Sequence, residues 1–168
     1  MQLTEINPER YRQRLNKVIF ACIGTLTIGS LGISQLLILL MPSSEGSHFH
    51  WNLFGVVVTS LVVLITLLKL KSHDFFYEVS YVWDLKQALN KINRRIKKIE
   101  AAAKQGDTVA MQILHFSYSA SRQLWELDNN TITLGHLASL EKKLQELADT
   151  HQVTLDINQY NSTQLANY

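Results

Sequence analysis

Two long runs without a charged side chain, residues 18–41 and 51–68, flank a stretch (42–50) too short to hold a domain. At about 1.5 Å of rise per residue they would measure roughly 36 and roughly 27 Å as helices, bracketing a hydrocarbon core of about 30 Å. Both are therefore predicted to span a bilayer, as a hairpin. The near-zero mean hydropathy hides this, because it averages an apolar first part with a polar remainder after Leu70. Arg10, Arg12, Arg14 and Lys17 precede the first run, Lys69 and Lys71 follow the second, and 42–50 contains no Lys or Arg. The positive-inside rule then predicts that both termini are cytoplasmic. Trp51, with Phe49 beside it, suits an aromatic belt at the opposite interface.

The basic leader, the first run and the small residues around Ser44-Glu45-Gly46 also have the layout of a signal peptide, but the run exceeds the roughly 7–15 residues of an h-region. Cleavage would in any case leave the second span to return the chain inward. Cys22 is the sole cysteine, which excludes an intramolecular disulfide; a small packing residue in the first span is its plain reading.

Asn7-Pro8-Glu9 places a cap, a proline at the first helical position and an acid in the first turn, so a helix is predicted to start there. It would carry Arg10, Arg12 and Arg14 toward lipid headgroups, with anionic lipid as counter-charge. Within the spans, Ala21, Thr25 and Gly29, then Gly32 and Ser34, and Gly55 with Thr59, form small-residue faces that permit close helix approach. Gly29 and Gly55 are the expected packing positions, serving the two spans or a second copy, and Gln35 is expected to bond between helices. Neither run holds an Asp, Glu, Lys, Arg or His, which argues against a proton relay or an ion-coupled transporter. Glu45, His48 and His50 form at most a partial site for Zn²⁺ or Cu²⁺ and are read as solvated loop residues.

Beyond a capping cluster at Ser72-His73-Asp74 the pattern is helical. Val82, Leu85, Leu89, Ile92, Ile96, Ile99 and Ala103 keep a heptad seam, predicting one helix that ends at Gln105-Gly106. Gly106 suits a left-handed C-cap and Asp107 can cap a second helix over 108–127, with its apolar stripe at Ala110, Ile113, Leu114, Ser117, Ala120, Leu124 and Leu127. A third should start after Thr131 or Thr133, with Leu137, Leu140, Leu144 and Leu147 along one stripe. The tail, 153–168, lacks a period and is expected to be irregular with a short final turn. The domains are thus a basic leader (1–17), the hairpin (18–71) and a cytoplasmic helical domain (72–168). The fold class is all-α: a two-helix transmembrane hairpin followed by a three-helix bundle-like domain.

Arg94, Arg95, Lys97 and Lys98 form, with Lys91, the densest charge cluster, suited to lipid or an acidic partner or to plain solvation. Residues 72–104 carry net +3 and residues 107–168 net −4, so the domain nearly neutralises itself; with no reader motif beside the cluster, nucleic acid is not expected. Phe75, Phe76, Tyr77, Tyr81 and Trp83 follow the second span closely and suit the headgroup level. Tyr81, Trp83 and Trp125 are the candidates for a partner surface, packing within the bundle being their plainer use. No nucleophile–base pair, phosphate loop or metal set is legible, and His73, His115, His136 and His151 stand one per element.

Glu9-Arg10-Tyr11-Arg12, Asn52-Leu53-Phe54-Gly55-Val56-Val57, Tyr81-Val82-Trp83-Asp84-Leu85-Lys86-Gln87-Ala88-Leu89-Asn90 and Glu126-Leu127-Asp128-Asn129-Asn130-Thr131 carry a resemblance over nearly the whole chain. The chain resembles a family of small two-span inner-membrane proteins of Gram-negative bacteria, domain of unknown function 3087. The resemblance implies an address and supplies no activity, cofactor or site. The expectation is a non-catalytic, membrane-anchored adaptor or accessory subunit without cofactor or metal, meeting the bilayer and a protein partner or a second copy. An oligomeric pore component is the first alternative, and a membrane-bound enzyme with a site assembled only in the fold is the second.

Overall fold

The computed structural model describes residues 2–41, 47–130 and 132–168, and every regular element among them is a helix. The chain divides into two compact units: residues 13–77, and the residues up to Arg12 together with Glu78–Tyr168.

The unit of residues 13–77 is a helical hairpin. Helix α1 (Pro8–Leu40) opens as its caps require, with Asn7 Oδ1 accepting from the Arg10 N–H at 3.0 Å. Helix α2 (Phe49–Leu70) returns, and both helices are long and apolar enough to cross a membrane. The hairpin turns large apolar residues outward, Phe20, Ile28 and Leu39 among them, and buries Ser34, Gly55 and Thr59. That inversion fits a lipid surround, where close contact rather than the hydrophobic effect holds helices together. Gln35 does not take the predicted interhelical role: it lies on the exposed side of α1, and Ser34 Oγ donates to the Trp51 carbonyl at 3.1 Å instead. After α2, His73 Nδ1 accepts from the Phe75 N–H at 3.1 Å and starts a 3₁₀ turn, Asp74–Phe76.

The second unit holds α3 (Tyr77–Asn93, from Glu78 onward), α4 (Ile96–Lys104), α5 (Thr108–Leu127) and α6 (Leu134–Thr150). The predicted single helix over the heptad seam is in fact two, broken at Arg94-Arg95, so four helices stand where three were expected. A straight helix drifts about 20° per heptad against a strict seven-residue repeat. The break resets the phase, and Ile92 before it and Ile99 after it are both fully buried. No glycine or proline marks the site.

Helix α5 is central, packing on α4, α6 and the turn Ile157–Gln159. From Ala110 to Ser117 all but His115 are buried, a helix enclosed nearly all round. The boundaries 108–127 and the Asp107 cap agree with the sequence reading: Asp107 Oδ1 accepts from the N–H groups of Val109 and Ala110, and Gly106 takes φ +91. Thr131, one proposed start for the next helix, lies outside the described residues.

The tail is part of the core rather than an appendage. Tyr160 stacks on Phe116 with ring centroids 4.0 Å apart, and Leu165 is buried. Gln112 fastens it from inside α5, donating to the Thr154 carbonyl (2.7 Å) and accepting from the Asp156 N–H (2.8 Å). At the other side of the sequence Ile6 and Tyr11 are buried in the same unit.

Candidate functional site

The helical unit presents its chemistry along α3 and the α3–α4 junction. Tyr81 and Trp83, two residues apart, point to sides of the helix about 200° apart. The Tyr81 hydroxyl accepts from the Thr4 N–H (2.9 Å) and donates to Gln123 Oε1 (2.8 Å), while Gln123 Nε2 returns to the Thr4 carbonyl (2.6 Å). Tyr81 is therefore half-buried and holds the N-terminal segment. Trp125 is half-buried near the end of α5, where its carbonyl accepts from Asn130. Trp83 differs from both: 61% of it is exposed. Gln87, Lys91 and Arg94 follow it on the same solvent face, all within an arc of about 80°.

At the foot of that face the helix break gathers the predicted cations. Arg94 and Arg95 form the break and Lys97 and Lys98 the first turn of α4, all four exposed. With Asn93, Ile96 and Tyr168 they line a cavity of about 330 Å³. Arg95 caps α4 without a side-chain hydrogen bond, so the partial positive charge of a helix start adds to four cationic side chains. Chemically this is a surface for anions. The Tyr168 hydroxyl donates to Asp107 Oδ2 at 2.8 Å, and burial, then that carboxylate, push its pKa to about 12, so the phenol stays neutral.

The leader arginines are not left to lipid headgroups as predicted. Arg10 Nε donates to Glu78 Oε1 at 2.6 Å, and Glu78 is a buried carboxylate. Arg12 donates to the Leu127 carbonyl (3.4 Å). Arg14 donates to the Asp74 carbonyl (2.8 Å) and lies 5.3 Å from the centre of the Phe75 ring. A basic leader reads as lipid-directed because these partners are remote in sequence. Glu78 carries the signal that could have found one of them, an acid one turn before Val82 on the apolar side of α3. Asp128 is a second junction, accepting from the Tyr11 hydroxyl (3.4 Å) and from Lys86 Nζ (3.3 Å).

In the hairpin, Gly29 and Gly55 sit where α1 and α2 touch. A Cβ on Gly29 would lie 2.7 Å from Thr59 Cγ2, and one on Gly55 would lie 2.6 Å from the Ser30 carbonyl oxygen. Of the partial metal set, Glu45 lies outside the described residues, His48 precedes α2 and His50 is exposed in its first turn.

Of the isolated histidines, His115 is half-buried in α5 and feels two acids. Burial lowers its pKa, opposed by Glu141 and Asp156. Both acids have structural partners: Arg122 holds Glu141 through two nitrogens, and Asp156 caps the turn Ile157–Gln159. His136 is exposed at the start of α6.

A family model described as Protein of unknown function (DUF3087) matches residues 1–165. No curated protein and no solved structure matches the chain.

Proposed function

The chain belongs to the DUF3087 family, and we propose that it is a two-span protein of the bacterial inner membrane, both termini cytoplasmic, acting as a membrane-anchored adaptor or accessory subunit. The helical unit is its working part and its role is non-catalytic. The observation that carries this reading is the solvent face of α3, where an indole left 61% exposed is continued by Lys91 and Arg94 into the cationic junction. An exposed tryptophan supplies the anchor that buried partner contacts favour, and the cations at its foot suit an acidic partner surface or anionic headgroups. Orientation follows from the Lys and Arg residues flanking both apolar helices.

The test is extraction of the tagged protein at native level in mild detergent or polymer, with mass spectrometry and native mass of what co-purifies, beside Trp83→Ala and a fourfold R94Q/R95Q/K97Q/K98Q variant. A stoichiometric partner lost in either variant is the expected result. A homo-oligomer unaffected by both would overturn it.

A second reading, self-association within the membrane as in a pore component, is favoured by one feature of α1. Gln35 lies outward, and Gly24 and Gly32, which have open space beside them, fall within about 80° of it. An amide facing lipid costs free energy that a second copy can offset by hydrogen bonding. Solute flux through liposomes holding the purified protein, abolished by Gln35→Leu, would support this reading over the first.

A further inference from the structure

The small residues of α1 do not all serve contact with α2. Toward residues 29–34 they close on it, at Gly29 against Thr59 and at Ser34 against Gly55. Toward the other end Ala21 and Thr25 remain exposed, and a cavity of about 350 Å³ lies between the helices. Its walls are apolar or small, with Ala21 and Cys22 from α1 and Val62 and Thr66 from α2; Phe75 and Phe76 close its end. Arg14 fixes that end by donating to the Asp74 and Phe75 carbonyls and stacking on the Phe75 ring. Lys17 is the only charged residue in the lining among the described residues, at the level where α1 leaves its apolar run.

We propose that this cavity is a binding site for one anionic phospholipid, with an acyl chain between α1 and α2 and the phosphate on Lys17. The volume lies within the roughly 300–1,000 Å³ usual for ligand sites, and an apolar chamber with one cationic group at its mouth matches an acid-headed lipid. A void between helices in hydrocarbon forfeits dispersion contacts that an acyl chain restores. The lysine ammonium distinguishes phosphatidylglycerol from phosphatidylcholine, because only the former brings net negative charge. The inference rests on the two-span reading, and its test separates the two.

Delipidated full-length protein is titrated with phosphatidylglycerol or phosphatidylcholine in detergent, and the first bound lipid is counted by native mass spectrometry. The expected result is about fivefold tighter binding of phosphatidylglycerol, the worth of one lysine beside an anionic headgroup. Lys17→Gln should remove the preference. Ala21→Trp, which fills the cavity, should weaken both lipids, whereas Phe20→Trp on the outward face of α1 should weaken neither. A preference that survives Lys17→Gln, or a first lipid indifferent to Ala21→Trp, would overturn the site. Alkaline carbonate extraction of the native protein checks the premise: a chain released from membranes refutes the two spans and the site with them.

Discussion

The sharpest single-residue constraint is at Gly55, where an added methyl would meet a backbone carbonyl of α1, 2.6 Å away, rather than a side chain that can turn aside. Gly55→Ala should cost about 1–3 kcal/mol by forcing the helices apart, read as a lower unfolding temperature in detergent. Gly32→Ala, with nothing within 4 Å of the new Cβ, should leave that temperature unchanged or raise it. A small-xxx-small pattern identifies both glycines as candidates for contact, but which one meets a neighbour depends on helix rotation, which composition does not encode. Gln152 is a second local case. It follows α6 with φ 57, a conformation that costs a side chain about 1–2 kcal/mol and that glycine adopts freely. Gln152→Gly should therefore stabilise the helical unit by about 0.5–1 kcal/mol in chemical denaturation, less than the full strain because glycine also loses more backbone entropy.

Among elements, the tail is irregular with a short final turn, as its lack of a period predicts, but no pattern in it marks which residues enter the core. Tyr160 is buried in extended chain just after the turn Ile157–Gln159 and Leu165 within the 3₁₀ turn Ser162–Asn167, segments too short to display a helical or a strand repeat. The Tyr160 ring is stacked on Phe116, but its hydroxyl is buried with no hydrogen-bond partner among the described residues. Tyr160→Phe should thus be neutral or stabilising by about 1 kcal/mol, whereas Tyr160→Ala should lose about 3–5 kcal/mol. A loss of about 1 kcal/mol in Tyr160→Phe would instead mean that the hydroxyl is satisfied. Tyr168 ties the same tail to the start of α5 through Asp107. Its folded-state pKa of about 12 lies above the ordinary 10.0, so folding favours the protonated phenol. That stabilisation is complete below pH 10 and is lost as pH rises toward 12. Tyr168→Phe should reduce the alkaline loss of stability in that window and leave the acid limb unaltered, as followed by circular dichroism against pH. The α3–α4 break was equally hidden, because Asn93-Arg94-Arg95 carries no helix breaker and the heptad runs through it without a missing position.

For the molecule as a whole, the helical unit is closed by chain from both sides of the hairpin in sequence, residues up to Arg12 and residues 78–168. Arg10 and Glu78 are the charged part of that closure. Removing the guanidinium weakens the compensation of a buried carboxylate, so Arg10→Ala should cost about 1–3 kcal/mol in the native background and clearly less beside Glu78→Gln. A double-mutant cycle on thermal unfolding reads this directly, and equal losses in both backgrounds would refute the role of the pair. The sequence by itself determined what depends on neighbours along the chain. It specified two helices apolar enough for a membrane, an all-helical remainder, the Asp107 cap with its Gly106 stop, and the density of charge at residues 94–98. Each of these follows from run length, periodicity or a capping geometry spanning a few residues. Only the tertiary structure decided which partners those residues meet. Arg10 finds a carboxylate 68 positions away and Tyr81 an amide 42 away; Trp83 alone of the three candidate aromatics stays largely exposed, and Ala21 borders a hollow where Gly29 borders a helix. Burial and partner choice are set by how helices rotate and cross once packed, and that geometry is a property of surfaces brought together from distant parts of the chain.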